Sequence, residues 1–220
     1  MTWIGVHDAA TRLGVSPRRV LQRIEAGDLP AARIGRQWAI DSHDLPLATP
    51  RRSRPLSERM AWALLALLAG ERPAVSATEL RRLRAYAHRL GSDPDSVSLL
   101  RTWAERRGDR TTWRVAEADR DELRSDDRVR RSGVDAPGSG IVSPVAEVYV
   151  AVAELDHLVD DYFLVPAGAA EANVVLHVVA QVPDITWPVL AADLAEHLGS
   201  RENARAAELI GLGTPAGGTT

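Results

Sequence analysis

Two short apolar patterns separated by a tight turn, and followed by an alternating run, constrain how this chain of 220 residues begins to fold. Apolar side chains recur at helical spacing in VHDAATRLG, residues 6–14, and again in SPRRVLQRIEAG, residues 16–27. Ser16 suits the N-cap position of the second helix. The run AARIGRQWAI, residues 31–40, alternates on both sides of a glycine-arginine pair, which predicts a β-hairpin.

Polar and basic side chains remain on the outer faces of the second helix and the hairpin. We expect the alternation to turn three apolar side chains toward the helices: Ile34, Trp38 and Ile40. The outward-facing candidates for DNA contact are Ser16, Arg18, Arg19, Gln22, Arg23, Arg33, Arg36 and Gln37. Arginine binds guanine edges or phosphates, and glutamine pairs with adenine. Two short helices with such a face on the second, and a basic hairpin beside them, are typical of a winged helix-turn-helix that binds duplex DNA.

The whole segment VHDAATRLGVSPRRVLQRIEAGDLPAARIGRQWAIDSHDL resembles the winged helix-turn-helix of excisionases and MerR-type regulators. The resemblance rests on the start A-A-x-x-L-G-V-S, the arginine-rich second helix, the run AGDLPA and the R-x-G-R-x-W wing. It implies a DNA-binding domain, to which we assign residues 1–46.

The formal net charge of −3 conceals a strong asymmetry along the chain. Residues 1–132 contain 25 of the 27 basic residues and 18 of the 30 acidic ones, which leaves +7. Residues 133–220 contain 2 basic and 12 acidic residues, which leaves −10. A basic front part suits a polyanion, whereas an acidic back part suits a different partner.

Composition places the chain among folded globular proteins, with 45% hydrophobic and 26% charged residues. The longest apolar stretch, residues 60–70, is shorter than the roughly 18 residues that a membrane span requires. The N-terminus lacks the basic start and apolar block of a signal peptide. Cysteine is absent, which excludes disulfides and thiolate metal sites. We expect a cytoplasmic protein with no membrane partner.

The predicted fold class is α+β, mainly helical. The predicted divisions are a winged helix-turn-helix at 1–46, a linker at 47–57, a helical middle domain at 58–132, a joint at 133–144, an acidic α+β domain at 145–212 and a disordered tail at 213–220. In the middle domain, the predicted strands TTWRV and RVRRSG flank a short helix, which is compatible with a second winged-helix-like module. In the acidic domain, NVVLHVVAQV, residues 173–182, predicts a strand buried on both faces.

Enzyme motifs are weak throughout the chain. His157, Asp160 and Asp161 share a helical face and could hold a metal, but a solvated acidic face is the preferred interpretation. His177 lies inside the strongest strand and is interpreted as a core or edge residue. P-loop, G-x-G-x-x-G and G-x-S-x-G patterns do not occur. We therefore expect neither an enzyme nor a bound cofactor or metal.

The remainder of the chain is similar to AbiE-type antitoxins, which are paired with nucleotidyltransferase toxins. The matching stretches are RPLSERMAWALLALLAG, DDRVRRSG, AELDHLVDDYFLVPAG, NVVLHVV and WPVLAADLAEHLGSRENARAAELI. The similarity implies a protein that represses its own promoter and neutralises a toxin encoded beside it, with residues 145–212 as the toxin-contacting part. An excisionase-like architectural factor and a ligand-sensing MerR-like regulator remain as alternatives, and a homodimer is left open.

Overall fold

The computed structural model describes residues 3–13, 15–25, 29, 31–35, 37–41 and 53–213, without the side chains of Arg23, Glu25 and Ile34. The chain forms two compact units, Met1–Arg54 and Pro55–Thr220, called here the first and the second unit. Their boundary falls within the predicted linker. Gly213, the first residue of the predicted tail, is the last residue of a helix, and residues 214–220 lie outside the described ranges. None of the described helices has the length and apolarity to cross a lipid bilayer.

The described residues of the first unit form two helices and a small sheet. Its elements are β1 (Trp3–Gly5), α1 (Val6–Leu13), α2 (Pro17–Glu25), β2 (Ala32–Ile34) and β3 (Gln37–Asp41). The strands pair antiparallel in the order β1-β3-β2. The buried core draws on both helices, the segment after α2 and β3: Ala9, Ala10, Leu13, Val20, Leu29 and Ile40. Ser16 caps α2, since its hydroxyl accepts a hydrogen bond from the backbone N–H of Arg19 at 3.3 Å.

The register of the hairpin corrects the predicted alternation. Arg33 pairs with Trp38, and Ile34 pairs with Gln37. Directly opposed residues lie on the same face of a sheet, and successive residues lie on opposite faces. The expectation that Arg33 lies on the face opposite Trp38 is therefore wrong, because the turn at Gly35 (φ +62°) places Arg33 directly across from the tryptophan. The predicted orientation of the Ile34 side chain lies outside the described residues.

The second unit contains seven helices and five strands within its described residues. In chain order they are α3 (Glu58–Leu68), α4 (Ala77–Ser92), α5 (Ser96–Ala104), β4 (Asp109–Arg114), α6 (Glu117–Ser125), β5 (Val129–Arg131), β6 (Ala146–Ala151), α7 (Leu155–Asp161), β7 (Val165–Pro166), β8 (Val174–Val179), α8 (Trp187–Glu196) and α9 (Ser200–Gly213). The strands form one sheet in the order β5-β6-β8-β4-β7. β6 and β8 run parallel at its centre, and the other neighbours are antiparallel.

This sheet removes the predicted domain boundary at 133–144. β4 and β5 come from the predicted middle domain, yet β4 pairs with β8 and β5 pairs with β6 of the predicted acidic domain. Residues 58–132 and 145–212 therefore belong to one compact unit. The charge balance changes at 133–144, but strands that precede this segment pair with strands that follow it.

The prediction of a second winged-helix-like module is also wrong. A wing requires its two strands to pair with each other, whereas β6 and β8 lie between β4 and β5. The individual strands and the helix between them were nevertheless placed correctly.

Helices cover both faces of the sheet in the second unit. One face packs against α3, α4, α5, α8 and α9, whose side chains share a core with Tyr149 and Val179. The opposite face packs against α6 and α7 through Leu123 and Leu158. The central strand β8 is accordingly buried on both faces, as its apolar sequence predicts.

Gly133 supports a close approach between the turn after β5 and strand β6. Its φ is +52°, and a Cβ added there would overlap the carboxylate of Glu147. We expect Gly133→Ala to lower the free energy of unfolding by about 2 kcal/mol or more, since left-handed strain and overlap add together. Urea denaturation measures the change.

Gly70→Ala is the matched control for that substitution. Gly70 also has a positive φ, +86°, but a Cβ there would meet nothing within 4 Å. It reports the left-handed strain alone, on the order of 1 kcal/mol. If both variants lose the same free energy of unfolding, the overlap with the Glu147 carboxylate does not contribute to the cost at Gly133.

Candidate functional site

Helix α2 presents polar side chains to solvent because its apolar ones are used in the core. Val20 is fully buried, and Ile24 packs against the same cluster. Four of the predicted contact residues are exposed at the start and along the outer side of the helix: Ser16, Arg18, Arg19 and Gln22. The side chain of the fifth, Arg23, lies outside the described part of the chain.

The spacing of these residues suits base recognition. Arg18 and Gln22 are four positions apart, so they lie one above the other on the same side of α2, with Arg19 beside them. The helical rise spreads the set over about 6 Å of axis, close to the roughly 7 Å that two base-pair steps of about 3.4 Å each cover. An α-helix of this kind fits the major groove, where arginine and glutamine can bind base edges.

The hairpin separates two residues that the sequence placed on one outer face. Arg33 and Gln37 are both exposed, but they occupy opposite faces, since Arg33 pairs with Trp38 and Gln37 with Ile34. The guanidinium carbon of Arg33 lies 5.7 Å from the centroid of the half-buried Trp38 ring, within cation–π range. Trp38 therefore orients Arg33. Arg36, at the predicted tip, lies outside the described residues.

The two units also differ in their charge balance, although the change of sign along the chain comes later, at 133–144. The first unit contains nine arginines and five acidic residues, a balance of +4. The second unit contains 18 arginines and 25 acidic residues, a balance of −7. The unit that carries the exposed α2 is therefore the one suited to a polyanion.

A group of charged and polar side chains is buried between the sheet and helices α5 and α8. Arg107, which follows α5, forms ion pairs with Asp193 and Glu196 of α8. The hydroxyl of Tyr149 accepts a hydrogen bond from Arg107 Nε at 3.0 Å and donates one to Asp193 at 2.7 Å. Burial and the nearby Asp193 raise the pKa of Tyr149 well above its usual range. We call this group the Arg107 cluster.

Glu147 forms a second buried centre beside the Arg107 cluster. Its two carboxylate oxygens lie 2.9 Å from Nε2 of His177 and 2.8 Å from Nε2 of His197. Burial favours a raised pKa for Glu147, but the hydrogen bonds with the two histidines hold it well below the usual range. Burial lowers the pKa of His197, but the bond to Glu147 outweighs burial and raises it. His177 also stacks on Tyr149, with ring centroids 4.7 Å apart, which joins the two centres.

The geometry of these buried groups is that of a structural charge cluster. Ser132 donates its hydroxyl hydrogen bond to Asp193, whereas both histidines bond to Glu147. Ser132, His177 and Asp193 are at most 3% exposed. Sequence reasoning identified His177 as a core or edge residue but did not find Glu147, Arg107 or Asp193.

The face of α7 that carries His157, Asp160 and Asp161 is exposed to solvent. His157 is mostly exposed, and its Nδ1 lies 3.8 Å from Glu154. Within the described ranges, no group of three or more histidine, aspartate or glutamate side chains is arranged to hold a metal ion.

The bond between His197 and Glu147 predicts a pH-dependent stability. The pKa of His197 is raised in the folded state, so its contribution is complete below the ordinary value near 6.5 and is lost as the pH rises through the higher folded value. The contribution of Glu147 to stability is lost only in acid, as the pH falls through the lowered pKa of its carboxyl group. We expect His197→Gln to reduce the decline in unfolding free energy above pH 6.5, measured by urea denaturation at stepped pH. His157→Gln, at an exposed site, should keep the wild-type slope, and an equal slope in both variants would contradict the role of His197.

The first unit also has a counterpart among known domains. A family model described as a helix-turn-helix domain matches residues 3–45, which include all five elements of that unit. Neither a curated protein nor a solved structure gives a significant match to the chain. The N-terminal helix-turn-helix predicted from the sequence is therefore confirmed, and the first unit is a helix-turn-helix domain of the kind that binds DNA.

Proposed function

We propose that this chain is a sequence-specific transcriptional regulator that binds its own promoter through the first unit. The supporting observation is the exposed set Arg18, Arg19 and Gln22 on the second helix of a helix-turn-helix domain. In this proposal α2 enters the major groove and these three side chains bind base edges. Ser16, Arg23, Arg33, Arg36 and Gln37 complete the proposed contact set.

Arg33 is assigned a phosphate contact in the same proposal. Its guanidinium is oriented by Trp38 yet remains exposed, so it can approach the backbone beside the groove that α2 occupies. Phosphate contacts fix the register of a protein on DNA without carrying sequence information. The hairpin therefore positions the domain, and α2 reads the sequence.

The first prediction for DNA binding concerns α2. Arg19→Ala or Arg18→Ala should cost on the order of 1–3 kcal/mol of binding to the native promoter, and should relax discrimination against an unrelated duplex. Fluorescence anisotropy with both duplexes measures the two effects. Arg201→Ala, at an exposed position on α9, is the control and should leave discrimination unchanged. If the double α2 variant folds and still prefers the promoter as the wild type does, α2 does not read the sequence.

We further propose that the regulator is an antitoxin that neutralises a nucleotidyltransferase toxin encoded beside it. The similarity of the second unit's segments to AbiE-type antitoxins supports the proposal, as does the acidic balance of that unit. The partner contact is assigned to residues 145–212, where the exposed acids include Asp156, Asp160, Glu171 and Asp184. A nucleotidyltransferase that accepts nucleotides presents basic surface, to which these acids are complementary.

Co-expression with the neighbouring gene product tests the antitoxin role. The full-length protein should restore growth and be recovered in a complex with the toxin. The Arg18→Ala/Arg19→Ala variant should rescue equally well, since its substitutions lie in the first unit. Failure of the wild type to rescue or bind would leave a plain DNA-binding regulator. A neighbouring integrase in place of a toxin, together with DNA bending, would favour the excisionase-like alternative.

A further inference from the structure

Helix α4 of the second unit carries an exposed basic face. Arg81, Arg82 and Arg84 are exposed, and they form no ion pair with any residue that the structure describes. Other arginines of the same unit are engaged, such as Arg107 with Asp193 and Arg128 with Asp126. The three α4 arginines therefore retain their full charge toward solvent in a unit whose overall balance is negative.

The neighbours of these arginines on the helix do not compensate their charge. Arg81 and Arg84 are three positions apart, where like charges destabilise a helix. Glu79 is three positions from Arg82, but its carboxylate is bound to Arg59 and to the capping residue Ser76. An arginine face that supports neither the helix nor its packing is better explained by a ligand outside the unit.

The packing of α4 fixes the direction of this face. Leu83 and Leu90 are buried in the core. The arginines nearest to Leu83 in the sequence are exposed on the solvent side: Arg81, Arg82 and Arg84. The helical rise spreads Arg81 to Arg84 over about 4.5 Å of axis. Arg82 also borders a cleft of about 320 Å³, whose other lining residues are Ala85, Tyr86 and Arg89. The face thus offers several guanidinium groups to one extended anion.

We propose that the basic face of α4, formed by Arg81, Arg82 and Arg84, is a second contact for the sugar-phosphate backbone of duplex DNA. The proposal rests on the proposed function, because the first unit must bring the duplex to the protein. Guanidinium groups bind phosphate oxygens in a bidentate manner, and charge complementarity therefore selects a polyanion. The contact lies outside the segment that α2 reads and adds affinity without adding sequence preference.

The linker makes such a second contact effective. Residues 47–57 tie the two units together, so DNA held by the first unit is at a high effective concentration for the second. The balance of −7 on the second unit would otherwise repel phosphates. A local basic face allows one side of an acidic unit to lie beside the duplex while its acidic residues remain available elsewhere.

The test compares three full-length variants with the wild type. Arg81→Ala/Arg82→Ala/Arg84→Ala removes the face, and Arg81→Lys/Arg82→Lys/Arg84→Lys keeps its charge. Arg114→Ala/Arg130→Ala/Arg201→Ala removes the same charge from exposed positions on β4, β5 and α9. Thermal melting confirms that each variant folds. Fluorescence anisotropy at stepped salt follows binding to a promoter duplex of about 60 base pairs, which is several helical turns. An unrelated duplex of equal length is measured in the same way.

The α4 alanine variant should bind both duplexes more weakly, on the order of 100-fold at about 0.1 M salt, and flatten the salt slope by about 2–3 units. The lysine variant and the scattered variant should stay close to the wild type. Equal losses in the α4 and scattered variants would reduce the effect to net charge and overturn the proposal, as would an unchanged α4 variant. Loss of self-association in sedimentation, with DNA binding intact, would assign the face to a second copy and also overturn it. If the wild type binds neither duplex, the proposed function itself fails.

Discussion

The buried ion pair between Arg107 and Asp193 is the interaction on which the second unit depends. A charge is stable inside a protein only when it is paired and hydrogen-bonded, and removing one partner of such a pair costs about 3–5 kcal/mol. Arg107 follows α5, Asp193 lies on α8, and the Tyr149 hydroxyl that joins them comes from β6. His197 follows the last residue of α8, and its bond to Glu147 ties the end of that helix to β6 at a second residue. Charge geometry, as well as apolar packing, therefore fixes α8 on the sheet.

The first unit was largely predictable from its sequence because its contacts are local. Periodicity and the capping residue Ser16 predict α1 and α2, and the glycine turn predicts the hairpin. The three-residue strand β1 was missed, since its strand character depends on pairing with β3 and not on its own side chains. The face of Arg33 was misassigned for a related reason. Alternation within one strand does not show which residue lies across the turn.

The second unit was predictable element by element but not as an assembly. The capping box of Ser76 and Glu79 and the apolar run of β8 both specify their elements locally. The domain boundary depends instead on which strands pair, and β5 pairs with β6 across the very segment where the charge balance changes. Buried charges are equally hidden. Arg107 looks like any other arginine in the chain until a carboxylate 86 residues further on is brought to it by the fold.

The placement of β8 at the centre of the sheet has a consequence for folding during synthesis. Domains fold as they emerge from the ribosome, the N-terminal ones first. The first unit makes its contacts within residues 1–54, whereas β4 must wait for β8, and Arg107 must wait for Asp193. A nascent chain halted before α8 therefore has the whole sequence of the first unit, but its Arg107 still lacks the carboxylate of Asp193. Under the proposed function, such a product would hold the DNA-binding unit without a folded second unit.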